Sequence, residues 1–139
     1  MRCEAPAVSL VITLALTVFL ALPAKADFAK GWAAYERGDI ATAVREFTAG
    51  ASQGEALSQY NLAVLYRDGE GVPKSLEKAV SLFQQAAKAG MQEAMHNLCV
   101  LYRDGTGVTK DLKIAFEYCR DAAERGLSQA QALLGVMCY

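Results

Sequence analysis

The stretch YNLAVLYRDGEGV at residues 60–72 returns as HNLCVLYRDGTGV at 96–108, a shift of 36 positions. Carried outward in the same register, residues 54–89 and 90–125 align without a gap and are identical at sixteen of 36 positions. A repeat of this length is one pair of helices. Such a pair cannot bury its apolar face alone, so neighbouring copies must stack. The expected fold is all-α, an α/α solenoid of about three helical hairpins followed by a terminal half-repeat.

Each copy carries the signals of a helix, a sharp turn and a second helix. In residues 54–89, Leu57, Asn61, Leu62, Leu65 and Tyr66 recur at helical spacing until Asp68-Gly69-Glu70-Gly71-Val72-Pro73. Two glycines in three residues permit backbone angles that side chains resist, and Pro73 stops the first helix from continuing. Ser75 can cap the second helix, which presents Leu76, Ala79, Val80, Phe83, Ala86 and Ala87. In residues 90–125 Asp111 takes the place of Ser75, a chemically equivalent cap. Residues 28–53 read as a shorter first hairpin, with Gly38 closing one helix and Asp39 capping the next. Residues 126–139 begin another first helix with Ala130, Leu134 and Gly135. Leu133, Val136 and Met137 on it are expected to stay exposed, an open apolar end for self-association or for docking the chain as a structural module into a partner or larger array.

The first 26 residues are different in kind. Arg2 precedes an uncharged run from 5 to 24, strongly apolar over 8–22, and Ala24-Lys25-Ala26 has the small-x-small form of a cleavage site. This predicts a secretory signal removed after Ala26, and hence a periplasmic or secreted domain over 27–139. An uncleaved anchor is the alternative, since about 20 apolar residues span a bilayer. Losing Arg2, Lys25 and Glu4 moves the net charge from −1 to about −2, with no basic block, so an electrostatic nucleic-acid binder is not expected. Export leaves Cys99, Cys119 and Cys138 where a disulfide is plausible. Cys99–Cys119 and Cys119–Cys138 both join neighbouring helices, and an odd cysteine remains either way.

The pattern Asn-Leu-x-x-Leu-Tyr-Arg-Asp-Gly-x-Gly-Val, then Ala79 or Ala115, then Ala-Ala and Gly, resembles the Sel1-like repeat family. These are relatives of the tetratricopeptide repeats with a longer turn between their helices. The resemblance covers essentially all of 28–139. It implies a right-handed solenoid that binds other proteins, often as an adaptor in the bacterial envelope. Ala63 and Cys99 depart from it, standing where the family often places Gly. Cysteine-rich secreted members staple their helices with a Cys-x7-Cys spacing, which this chain lacks. Some of those members bind or slowly hydrolyse β-lactams, which makes an enzyme the alternative reading; no Ser-x-x-Lys site or nucleophile elbow stands in a suitable context here.

In tetratricopeptide relatives that clamp a peptide carboxylate, an Asn in the place of Asn61 and Asn97 donates to it. Either these amides do the same here, or they brace neighbouring helices. Tyr60 and His96 precede them by one residue, and Arg67 and Arg103 follow them by six, where they would add positive charge. The expected partner-binding strip is therefore Tyr60, Asn61, Arg67, His96, Asn97 and Arg103, facing an extended peptide on a concave first-helix surface.

Other constellations read as structural. Tyr66 and Tyr102 should pack at the turns. Asp68 and Asp104 should accept from turn N–H groups, since equivalent residues in adjacent hairpins lie too far apart to share one reaction. His96 and Cys99 share a helix face, but two ligands fall short of a zinc site and no third group orients them for catalysis. Gly69-x-Gly71 lies between helices rather than after a strand, so it is no nucleotide loop. No catalytic residue, metal or cofactor is expected.

Overall fold

A computed structural model describes residues 28–138. The expected signal segment and Cys3 lie outside the described residues. Among these residues the chain forms α1 (Phe28–Glu36), α2 (Ile40–Ser52), α3 (Ala56–Asp68), α4 (Leu76–Lys88), α5 (Gln92–Asp104), α6 (Leu112–Glu124) and α7 (Ser128–Met137), with no strand. Each helix packs on the next in sequence, which is the connectivity of a stacked α/α solenoid. No described helix is long and apolar enough to cross a membrane.

Local chemistry starts and stops the helices where the residues require it. The Asp39 carboxylate accepts from the Thr42 backbone N–H at 3.2 Å, and hydrogen bonding with the Thr42 side chain, then with that N–H, holds its pKa below the usual carboxylate range. Ser75 accepts from the Lys78 N–H at 3.3 Å, and Asp111 from those of Lys113 and Ile114 at 2.9 and 3.1 Å. In the long turns the Gly69 and Gly105 N–H groups reach Leu65 O and Leu101 O. Ser75 N–H then closes on Tyr66 O and Asp111 N–H on Tyr102 O, both at 2.9 Å. The two tyrosines thus hold equivalent places.

The second turn glycine of each copy welds one hairpin to its predecessor. Gly71 (φ +71°) sits against Ile40, and Gly107 (φ +74°) against Leu76, 36 residues later in both partners. A Cβ at Gly107 would lie 2.6 Å from Leu76 Cβ. Glycine is therefore required twice over, for the left-handed backbone and for the close approach.

Within each hairpin one small residue on the first helix faces one residue on the second. Gly31 faces Phe47, whose Cε1 would lie 2.7 Å from any Cβ there. The corresponding pair in the third hairpin is Cys99 and Cys119, joined by a disulfide with Cα atoms 5.3 Å apart. By register, Ala63 and Phe83 are the pair between them, and both are fully buried in one cluster. Glycine plus phenylalanine, alanine plus phenylalanine, and cystine thus fill the same space in successive hairpins, as close packing demands.

Cys138 is free and exposed among the described residues. The expectation for the last helix needs correction. Leu133 and Met137 turn inward and pack on the Cys99/Cys119 cluster, with Met137 Sδ 3.9 Å from Cys99 Sγ. Val136 does face solvent, at 74% exposure.

Candidate functional site

The first helices α3 and α5 carry the expected strip, but the structure divides it. Tyr60, Asn61 and Arg67 line a cleft of about 240 Å³ together with Trp32 and Tyr35 of α1, Phe47 of α2, and Val64 and Leu65 of α3. Phe47, Phe28, Trp32 and Tyr35 form a continuous run of stacked rings, with centroid separations of 5.7, 6.3 and 5.7 Å. Tyr60 meets Phe83 edge-on at 5.6 Å, which fixes its ring as a wall. Trp32 is 41% exposed, an unusual place for so large an apolar ring and one suited to contact with a partner.

Trp32 and Tyr35 were not among the residues that the repeat singled out. The turn after α1 is shorter than those after α3 and α5, so the 36-residue register breaks there. Tyr35 precedes the last residue of α1 as Arg67 precedes the last residue of α3. That position at the helix end was the signal that would have placed it.

The positive edge expected from the arginines is not what the structure presents. Arg67 Nε and Nη2 donate to the two carboxylate oxygens of Asp68 at 2.7 and 3.0 Å, and Arg103 clamps Asp104 in the same way. These hydrogen bonds raise both guanidinium pKa values and lower both carboxyl pKa values. Asp68 and Asp104 are therefore partners of arginine, rather than acceptors for turn N–H groups. The cause is adjacency: the two side chains leave the end of one helix side by side, and the planar guanidinium matches a carboxylate bidentately.

Both asparagines donate to their own helix, Asn61 to Leu57 O at 2.8 Å and Asn97 to Glu93 O at 2.9 Å. Their carbonyl oxygens differ. Asn97 Oδ1 accepts from Arg67 Nη1 at 3.0 Å and so ties α5 to α3. Asn61 Oδ1 has no partner among the described residues. His96 is half-buried with its Nδ1 unpaired among the described residues, and burial, followed by the charge of Arg103, pushes its pKa down, so it is neutral at neutral pH. Cys99 is spent in the disulfide and offers no thiol beside it. Tyr35 donates to Glu70 at 3.2 Å, and the Glu70 charge, then burial, raises its pKa. Tyr102 accepts from Gln84 at 3.2 Å and stacks on Tyr118, while Lys78 Nζ lies 5.1 Å from the Tyr66 ring centroid. No group of three or more described His, Cys, Asp or Glu residues could hold a metal.

Stacked hairpins with an open, aromatic-lined first-helix face define a helical-repeat protein, a class that generally serves as a scaffold for protein–protein interaction. The chain belongs to the Sel1 repeat family, whose model matches residues 56–91 and 92–127. The crystal structure of a Sel1 repeat protein from Oxalobacter formigenes is similar at 28% identity and TM-score 0.76, over 80% of this chain and 46% of that one. A protective antigen of uropathogenic Escherichia coli displaying an SLR fold is similar at 34% identity and TM-score 0.71, over 75% of this chain and 23% of that one. Helicobacter pylori cysteine-rich protein B shares the fold at 21% identity and TM-score 0.64, over 70% of this chain and 71% of that one. This chain thus spans less than half the length of the first two. No curated protein matches it.

Proposed function

We propose that the first-helix face binds an extended segment of another protein, with the cleft between α1 and α3 as its main anchor point. The observation that carries this reading is the cleft itself: apolar walls from Trp32, Tyr35 and Tyr60, with a few polar groups at Asn61 and Arg67. That composition is what recognition of a side chain on a polypeptide requires. The face continues toward α5 through the Arg67–Asn97 bridge, which leads to His96 and Arg103. In this arrangement Asn97 and Arg67 brace the helices, while Asn61 and Tyr60 meet the partner.

The test is a comparative capture from bacterial envelope extract. Trp32→Ala/Asn61→Ala is expected to lose specific partners that the wild type and Glu77→Ala/Lys113→Ala, altered on exposed second-helix positions, both retain. If all three proteins capture the same set, the face is not the binding surface.

We also infer export, with cleavage after Ala26. The leader-like residues 1–26 support it, and so does a disulfide between Cys99 and Cys119, since such bonds persist in oxidising compartments. Intact mass of the protein recovered from the periplasm or medium should correspond to a chain beginning at Asp27. A mass retaining residues 1–26 would show an uncleaved anchor.

A further inference from the structure

We propose that the cleft between α1 and α3 is a socket for one arginine side chain of the bound polypeptide. This rests on the first-helix face being the binding surface and names what it selects. The protein shows how such a side chain would lie. Between α3 and α5 the gap is bridged by an arginine of its own, Arg67, whose Nη1 donates to Asn97 Oδ1 at 3.0 Å. Between α1 and α3 the corresponding acceptor is Asn61, and the residue in the arginine's place is Tyr35. The Tyr35 hydroxyl turns instead to Glu70 at 3.2 Å. Asn61 Oδ1 is thereby left without a protein donor among the described residues, and about 240 Å³ stays open beside it.

The walls fit the rest of an arginine. Its alkyl stem packs on apolar surface and its planar guanidinium stacks on aromatic rings. Trp32 and Tyr35, stacked at 5.7 Å with planes 26° apart, offer such rings, and Tyr60 closes the other side. Charge agrees as well. Arg67 lines the cleft but is neutralised by Asp68, and Glu70, in no ion pair among the described residues, adds a negative charge at the Tyr35 end. A leucine would fill the apolar walls but leave Asn61 Oδ1 without a donor and the Glu70 charge, which accepts only the neutral Tyr35 hydroxyl among the described residues, without a cation. A carboxylate would meet no unpaired cation among the lining residues.

The sole tryptophan of the sequence is Trp32, so tryptophan emission, excited at the red edge where the six tyrosines do not absorb, reports on this cleft. The probes are blocked pentapeptides, acetyl-Gly-Ala-X-Ala-Gly-amide, with X arginine, citrulline or leucine. Citrulline keeps the shape and loses the charge. The arginine peptide should give a saturable change below about 10 mM and bind at least about five-fold tighter than either control. Asn61→Asp should tighten it several-fold. Glu70→Gln, which keeps the Tyr35 hydrogen bond, should weaken it by about three-fold, as loss of one partly screened charge implies. Equal response to citrulline or leucine, or no saturation by the arginine peptide, overturns the socket. If the peptides do not discriminate but Trp32→Ala/Asn61→Ala still loses its captured partners, the socket fails and the binding face stands. If capture is indifferent to those substitutions, the face itself is refuted.

Discussion

Phe83→Ala should lower the free energy of unfolding by about 3–5 kcal/mol, the range for deleting a fully buried aromatic ring. Phe83 is 0% exposed and lies in the cluster that joins the second hairpin to α5, α6 and α7. The residue facing it, Ala63, is too small to fill the void. The floor of the Tyr60 wall also goes, because Tyr60 rests edge-on against this ring. Total stabilities of domains are about 5–15 kcal/mol, so the loss is a large share of the whole. In a solenoid each repeat leans only on its neighbours, so a failure in the middle also uncouples the ends. Urea unfolding followed by circular dichroism measures this, with Leu112→Ala, at a residue 55% exposed, as the control expected to change little. A Phe83→Ala loss under about 1 kcal/mol would place the ring outside the core.

The second large effect is expected from the Cys99–Cys119 disulfide. Its partners are 20 residues apart in sequence, and the bond limits the unfolded chain by closing that loop. A loop of this size is worth about 3 kcal/mol on the chain-entropy account. Reduction should therefore lower Tm by roughly 10 °C, while Cys138→Ser should melt as the wild type does under both conditions. The melts would be run with and without reductant, with thiols counted in each. An unchanged Tm after full reduction would mean that Ala115, Tyr102, Tyr118 and Leu134, which pack around the bond, hold the hairpin without it.

The disulfide also shows why part of the structure was hidden. Cys99–Cys119 and Cys119–Cys138 were equal candidates on connectivity, since both join neighbouring helices. The choice depends on which helix face each residue occupies. Cys99 and Cys119 stand in the place of Ala63 and Phe83, a pair that faces inward, whereas Cys138 follows the last turn of α7 and faces solvent. The candidate site divides in the same way. Tyr60 and Asn61 line the cleft as the repeat suggested, but Trp32 and Tyr35 come from a hairpin whose short turn breaks the period. The arginines looked like a charged edge because nothing in a repeat unit shows that each will fold back on the aspartate beside it.

Order along the chain was legible because it is written in neighbouring residues. The hairpins, their capping residues Asp39, Ser75 and Asp111, and the double-glycine turns depend on contacts within a few positions or on a period that alignment reveals. The repeat resemblance reached the family by the same route. What lies between helices was set by side-chain size and direction in three dimensions. Gly31 under Phe47, the bond at Cys119, the bridge from Arg67 to Asn97 and the open space above Asn61 each join residues on different helices. A period fixes which helices are neighbours, whereas the cleft exists because Tyr35 turns to Glu70 and leaves the gap beside Asn61 unfilled.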